Sequence, residues 1–137
     1  MNALFFLKSK ATVAVVFDDN TLRRGLELMR ESGYTAIPVI TREGDYAGSI
    51  REGDFLWYLY DHAGENTDSV KIRSIMKKGW NPAVTVDVTM DELLDRALNQ
   101  NFVPVVDDRN KFIGIITRRD ILEYYRTGEP VSAVLRE

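Results

Sequence analysis

The sequence contains one pattern twice, and this repeat limits the possible fold more than any other feature. Three pairs of matching residues are each 66 positions apart: Pro38 and Pro104, Gly48 and Gly114, Asp54 and Asp120. Further upstream the separation is 68, because Asp19 and Thr21 match Asp87 and Thr89. The second copy is therefore two residues shorter, and the chain is best interpreted as a tandem duplication.

The sequence of each copy predicts a strand, a helix, two strands and a second helix. The evidence is runs of β-branched residues, apolar residues at helical spacing, and turn residues between them. In the first copy these elements are predicted at residues 12–17, at the helical face of Leu22, Leu26 and Met29, and at residues 36–40, 46–50 and 54–60. In the second copy they are predicted at residues 83–86, at the face of Met90, Leu93, Leu94 and Ala97, and at residues 102–106, 112–116 and 120–126.

These elements divide the chain into four parts. Residues 1–60 hold an N-terminal segment and the first repeat, 61–79 a linker with a short lead-in helix, 80–126 the second repeat, and 127–137 a C-terminal tail. A single repeat of about 50 residues buries too little surface to form a stable domain by itself. We therefore predict an α/β (α+β) fold in which two β-α-β-β-α repeats pack with pseudo-two-fold symmetry, leaving two equivalent clefts suited to small ligands.

The composition argues for binding rather than catalysis. The chain has no cysteine and one histidine, His62, which excludes disulfide scaffolds, thiolate chemistry and cysteine or multi-histidine metal sites. We therefore predict no enzyme, no metal and no catalytic cofactor. A formal net charge of −3 argues against nucleic acid as a partner. The apolar run at residues 3–7 is too short for a signal peptide or a membrane span, so we expect no membrane association and a cytoplasmic location.

Three repeated features carry a family resemblance: the Pro-Val strand, the Gly-x-x-Thr-x-x-Asp ending of Gly114 to Asp120, and the helix after it. They resemble the CBS domain, and residues 12–126 as a whole resemble a stand-alone CBS pair, or Bateman module. The resemblance implies a sensor that binds an adenosine-containing ligand between its halves, such as AMP, ADP, ATP, S-adenosylmethionine or a dinucleotide. Residues 33–39, 99–103 and 114–119 are similar to bacterial CBS pairs that bind cyclic di-AMP.

The resemblance also implies a ligand site. The better-formed cleft would comprise Thr12, Ala14, Tyr34, Thr35, Ala36, Ile37, Thr117, Arg118, Arg119 and Asp120. An ionised Asp120 can accept both hydroxyl hydrogens of a ribose, and Thr117 precedes a helix whose positive end favours phosphate. Arg118 or Arg119 would add phosphate contacts.

Other interpretations compete with ligand contact at these positions. Thr117 and Asp120 have the spacing of a capping box, in which both residues only start a helix. The two arginines fit a solvated face, and Tyr34 and Thr35 fit strand packing. Pro38 lacks an N–H, so we expect it to disrupt the strand ladder and leave backbone groups free for a base edge.

The second cleft departs from the family pattern. It would combine Arg51 and Asp54 with Trp80, Ala83, Asn101, Phe102 and Val103. Arg51 stands where Thr117 stands in the other repeat, and it either binds phosphate or fills the pocket with its stem. We therefore predict one functional site per chain, or one degenerate site.

The two closing helices are unusually aromatic. The helix with Phe55, Trp57 and Tyr60 has six consecutive apolar or aromatic residues, which cannot all face inward. With the helix of Ile121 and Tyr125, it is the predicted homodimer interface, as the resemblance implies.

The first functional hypothesis is a nucleotide sensor that acts in trans on a separate effector protein, because no effector domain is evident. The alternative is a dimerisation or protein-interaction module that binds no ligand.

Overall fold

The computed structural model describes residues 3–128, which form two compact units. The first unit comprises residues 14–80, and the second unit comprises residues 81–128 together with residues 3–13. The strands are β1 (Lys8–Ser9), β2 (Val16–Phe17), β3 (Ala36–Ile40), β4 (Tyr46–Arg51), β5 (Phe102–Val106) and β6 (Phe112–Thr117). The helices are α1 (Leu22–Ser32), α2 (Glu52–Asp61), α3 (Ile72–Ile75), α4 (Met90–Ala97) and α5 (Arg118–Thr127), with short 3₁₀ turns at Ala3–Phe5 and Lys10–Thr12. Within the described chain, no helix has the length and apolar character needed to cross a membrane.

The first unit has a three-stranded sheet in the order β2-β3-β4, with β2 parallel and β4 antiparallel to β3. Helix α1 begins where the Thr21 hydroxyl accepts a hydrogen bond from the Arg24 N–H at 3.1 Å, and it ends at Gly33 in the left-handed conformation. The buried core consists of Val16, Leu22, Met29, Ile37, Val39, Ile50, Phe55, Ile72 and Met76.

The second unit has a sheet in the order β1-β6-β5, with both neighbours antiparallel to β6. Helix α4 is capped by the Thr89 hydroxyl, which accepts from the Glu92 N–H at 3.1 Å. The buried core consists of Ala3, Phe6, Val84, Val88, Leu93, Ala97, Val103, Val105, Ile116 and Ile121.

The duplication predicted from the sequence is confirmed. Strands β3 and β4 and helix α2 recur 66 positions later as β5, β6 and α5, and the helix caps Thr21 and Thr89 keep their separation of 68. Even a register shift recurs, between Val39 and Ile40 in one hairpin and between Val105 and Val106 in the other. The predicted α/β class with two β-α-β-β-α repeats is therefore correct in outline.

The first strand of each repeat is much shorter than predicted. Only Val16–Phe17 of the predicted strand at 12–17 is extended and paired, and the strand predicted at 83–86 is reduced to one parallel bridge between Val84 and Val105. Each short pairing stops beside a proline of the neighbouring strand, Pro38 or Pro104. Because proline has no N–H, it cannot donate the next hydrogen bond of the parallel ladder.

The N-terminal segment packs on the second repeat, whereas the sequence-based division grouped it with the first. Ala3 and Phe6 are buried in the second-unit core, and the Ala3 N–H donates to the Val86 carbonyl at 3.3 Å. In the first unit, Ile72 of the linker is buried in the same way, and the N–H of the next residue, Arg73, donates to the Asp18 carbonyl at 3.0 Å. Each repeat is thus completed by the segment that precedes the other repeat.

Candidate functional site

The start of α5 holds Thr117 and Asp120 in the second unit. The Thr117 hydroxyl accepts a hydrogen bond from the Asp120 N–H at 3.2 Å, so its side chain caps the helix. The Asp120 carboxylate does not complete a capping box, and it accepts no hydrogen bond from residues 3–128, although Asp120 is only 8% exposed. Its one charged neighbour among these residues is Lys8, with Nζ 3.8 Å from Oδ2. The capping interpretation therefore holds for Thr117 but leaves the acceptor capacity of Asp120 unused.

The two predicted phosphate-binding arginines have different surroundings. Arg118 donates from Nε to the Gln100 carbonyl at 3.1 Å and from its backbone N–H to the Asn101 carbonyl at 2.8 Å. Its side chain lines a surface groove beside α4, together with Leu94, Asp95, Ala97, Leu98 and Leu122. Arg119 is exposed and has no hydrogen bond or ion pair within the described part of the chain. Of the two, Arg119 has the guanidinium that is available to a ligand.

The first unit carries five of the predicted ligand contacts, on and beside β3. Ile37 is buried in the core, so packing is the main role of its side chain. Tyr34 is 61% exposed, and Thr35 is exposed while its carbonyl accepts from the Glu52 N–H at 3.0 Å. Ala36 is half-buried, and Ala14 packs at the margin of the core.

The backbone around Pro38 differs from the prediction in one respect. Its ladder with β4 continues unbroken, with Pro38 opposite Ser49, and the interruption lies on the β2 side, where pairing reaches only Val39. Thr12, the remaining predicted contact, lies in the second unit. Its hydroxyl donates to the Ser9 carbonyl at 2.9 Å within a 3₁₀ turn.

Asp54, the counterpart of Asp120, has all the partners that Asp120 lacks. Its Oδ1 lies 3.0 Å from a terminal nitrogen of Arg51, and its Oδ2 accepts from the Arg51 backbone N–H at 2.9 Å. The guanidinium also lies over the Trp80 ring, 4.5 Å from its centre, and the buried Arg51 Nε has no hydrogen-bond partner within the described residues. Of the two interpretations of Arg51, this geometry fits the one in which the side chain fills the pocket.

The four second-unit residues predicted for this cleft differ in their exposure, and one of them has an internal hydrogen bond. Phe102 and Val103 are buried, Ala83 is half-buried and Asn101 is exposed. The Phe102 carbonyl accepts a hydrogen bond from the Asn81 side-chain amide at 3.1 Å. Val13 stands at the matching position of the first repeat and has no amide to donate. This side-chain hydrogen bond to the strand therefore has no equivalent from Val13 in the first copy.

The sequence analysis missed two residues of these sites, Lys8 and Asn81. Asn81 precedes Pro82, and Asn-Pro is a turn signal that points to a special backbone conformation. Its φ of 57° is indeed left-handed. Lys8 has no comparable local signal, because its proximity to Asp120 depends on which repeat the N-terminal segment covers. Within residues 3–128, no group of three or more potential metal ligands is brought together.

Comparison with known proteins identifies the fold. The family model for the CBS domain matches residues 9–61 and again residues 72–127. An uncharacterized protein of Methanopyrus kandleri is 32% identical over 101 residues, which are 69% of this chain and 48% of that protein, so the chain spans about half of this relative's length.

Solved structures agree with the family match. The structure of CbpB in complex with c-di-AMP has a TM-score of 0.84 at 24% identity and covers 93% of this chain and 85% of its own. The structure of CBSX2 from Arabidopsis thaliana in complex with AMP has a TM-score of 0.76 at 22% identity, with coverages of 91% and 96%. At these identities the likeness shows a shared fold. With two matched repeats that fill most of its length, this chain belongs to the CBS domain family.

Proposed function

We propose that this protein is a regulatory nucleotide sensor without catalytic activity, which binds an adenosine-containing ligand and acts on a separate effector protein in the cytoplasm. The observation that carries the proposal is the state of Asp120, a buried carboxylate that accepts no hydrogen bond from residues 3–128. The ribose of AMP supplies two hydroxyl donors to such an acceptor-only group, and each ribose of cyclic di-AMP supplies one. The CbpB and CBSX2 complexes support an adenosine ligand, since c-di-AMP and AMP are both adenosine phosphates.

The surroundings of Asp120 and Asp54 support one ligand site per chain. A nucleotide at Asp54 would have to displace the Arg51 guanidinium from the carboxylate and from Trp80. Among residues 3–128, the one ion-pair partner of Asp120 is the Lys8 ammonium, 3.8 Å away and beyond hydrogen-bond distance. The ligand site is therefore assigned to Asp120, with Thr117 and Arg119 beside it.

The other contacts of this site stay predictions. The family resemblance implies that Thr12, Ala14 and residues 34–37 contribute to the same ligand. Two features of the first unit support their part: the exposed ring of Tyr34, and the edge of β3 at Ala36 and Ile37, which β2 does not cover.

A ligand panel with matched variants tests the proposal. Thermal shift and calorimetry with AMP, ADP, ATP, cyclic di-AMP and S-adenosylmethionine are expected to show at least one ligand, bound once per chain. A ligand at 100 times its Kd adds about 2.7 kcal/mol of stability, which raises the melting temperature by several degrees. Asp120→Ala is expected to weaken binding by about 1–3 kcal/mol, because the ribose hydroxyls lose their acceptor.

Asp54→Ala is the matched control, since it removes the same side chain at the equivalent position of the other repeat. We expect it to leave the Kd unchanged. No shift with any compound would overturn the sensor proposal, and equal losses in the two variants would show that both repeats bind ligand.

A second function, self-association, is favoured by an independent observation. On α2, Leu56, Trp57 and Tyr60 are exposed while Phe55 is buried, and on α5, Leu122 and Tyr125 are exposed while Ile121 is buried. Each helix therefore carries the surplus apolar surface that the sequence predicts for a homodimer interface. A module that only dimerises would keep this association without any ligand.

A further inference from the structure

Strand β1 brings the N-terminal segment to the start of α5 at a fixed position. Lys8 pairs with Ile115 of β6, and a Cβ on Gly114 would clash with the Lys8 carbonyl oxygen, so the two strands approach closely because residue 114 is glycine. On the preceding side, the buried Phe6 packs edge-on against Tyr124, with ring centres 4.7 Å apart. The backbone of Lys8 is therefore held from both directions.

The Lys8 side chain is held much less firmly than its backbone. Its ammonium lies 3.8 Å from the Asp120 carboxylate, the side chain is half exposed, and it donates no hydrogen bond to residues 3–128. An ammonium has three N–H donors on a flexible four-carbon stem. Lys8 therefore has donors to offer to a ligand that approaches Asp120.

The charges around this point favour an anion. Asp120 is the only acidic residue in the first turn of α5, whereas Lys8 and the unpaired Arg119 contribute two positive charges. The first turn also has the positive end of the helix dipole. A neutral nucleoside would hydrogen-bond to the carboxylate but leave Arg119, which has no partner among residues 3–128, without an anion.

We propose that Lys8 contacts the phosphate of the nucleotide whose ribose Asp120 holds, and that it makes the site selective for phosphorylated adenosine over the neutral nucleoside. This inference rests on the proposed function and adds to it a residue from outside both repeats. Occupancy of the site and docking of the N-terminal segment are then coupled, because the same segment supplies a ligand contact.

Calorimetry on the full chain with AMP, cyclic di-AMP and adenosine tests the inference. Lys8→Met removes the charge and keeps the length of the side chain. We expect it to weaken binding of the phosphorylated ligand about ten-fold, the effect of one charge-assisted contact, and to change adenosine binding less than two-fold. The salt dependence of the phosphorylated ligand's Kd is expected to fall as well, since one of the screened attractions is gone.

Lys10→Met is the matched control, because Lys10 is exposed, lies two residues further on and has no ion pair within the described residues. We expect it to alter neither the selectivity nor the salt dependence. If Lys8→Met leaves both quantities at the wild-type values while the wild type binds nucleotide, Lys8 is only a structural residue and this inference alone fails. If the wild type binds neither these three compounds nor ADP, ATP or S-adenosylmethionine, the sensor proposal fails together with it.

Discussion

Asp54 and Asp120 occupy equivalent positions in the two repeats, yet their carboxylates are in opposite states. The free-energy cost of removing the Asp54 carboxylate from water is offset by two hydrogen bonds from Arg51, one from its backbone and one from its guanidinium. Asp120 is also largely buried, but its one ion-pair partner in the described chain is the Lys8 ammonium, beyond hydrogen-bond distance. Ligand hydroxyls would give the Asp120 carboxylate the hydrogen bonds that residues 3–128 do not supply. Arginine at the start of α2, where α5 has threonine, thus satisfies the Asp54 carboxylate from within the chain.

Replacing Arg51 measures how strongly the closed site depends on its own side chain. We expect Arg51→Ala to lower the free energy of unfolding by about 1–3 kcal/mol, because it removes the guanidinium that satisfies the Asp54 carboxylate. Urea denaturation measures this loss. Removing Asp54 as well is expected to cost less than the sum of the two single changes, because no unpaired carboxylate then remains.

Arg119→Ala is the control for this stability measurement, since Arg119 is exposed and has no partner in the described chain. Its effect on unfolding is expected to stay within about 0.5 kcal/mol. If the two arginine variants were equally stable, the contacts of Arg51 with Asp54 and Trp80 would contribute nothing to the fold.

The spacing of the repeat made it possible to compare single residues of the two copies. Thr117, Asp120, Arg51 and Asp54 were compared position by position because the separation of 66 relates them. The contacts of Lys8 with Asp120 and of Asn81 with Phe102 were not predicted, since they join residues 112 and 21 positions apart. Pairings of that kind depend on which segments pack together, and that information is not contained in local sequence.

At the level of elements, the two hairpins have turns that are capped by different side-chain groups. In the β3–β4 hairpin, the Thr41 hydroxyl accepts from the Asp45 N–H at 3.0 Å. In the β5–β6 hairpin, the Asp107 carboxylate takes the place of that hydroxyl and accepts from the N–H groups of Lys111 and Arg109, both at 2.9 Å. These backbone donors hold the pKa of Asp107 below its usual value. The capping group of the β5–β6 hairpin is therefore titratable, whereas the Thr41 hydroxyl that caps the other hairpin is not.

The difference predicts a pH-dependent effect of Asp107→Ala. A depressed pKa means that the carboxylate stabilises the fold at a pH above its unfolded pKa of about 4, and that this contribution is lost as the pH falls through the lower folded value. We expect Asp107→Ala to be destabilising at pH 7 and progressively less so as the solution is acidified below that pKa. Urea denaturation across this range measures the change.

Thr41→Ala is the matched control for the pH experiment, because it removes the equivalent capping group from the other hairpin. Its cost is expected to be the same at every pH, since a hydroxyl does not ionise in this range. A cost of Asp107→Ala that did not change with pH would show that the loop donors do not stabilise the ionised carboxylate.

Local signals predicted some elements much better than others. Helices α1 and α4 were predicted because threonine caps and apolar spacing both lie within one segment. The first strands were overestimated, since β-branched residues at 12–17 favour extension but Pro38, on a neighbouring strand, limits the pairing. Strand β1 was not predicted, because a two-residue strand exists only through its partner.

For the whole molecule, the exchange of lead-in segments makes the two repeats interdependent. The first-unit core includes Ile72 and Met76 from the linker, and the second-unit core includes Ala3 and Phe6 from the N-terminal segment. A boundary near residue 60 would remove buried apolar side chains from both cores. A fragment that keeps its core therefore follows the boundaries of the two units, residues 14–80 and residues 81–128 with residues 3–13, and not those of the sequence repeats.

The apolar surface of α2 leads to the last prediction, that the pair forms a homodimer. Trp57 is 62% exposed and Tyr60 is 74% exposed on the same helix, which is a large apolar area to leave in water. We expect the wild type to sediment as a dimer over a concentration series and Trp57→Glu to sediment as a monomer, because a charge in a buried interface is left without a partner. Leu98→Glu is the control, since Leu98 is 78% exposed but lies beside α4. A monomeric wild type, or a Trp57→Glu variant that still dimerises, would remove α2 from the interface and leave its aromatic residues to another partner.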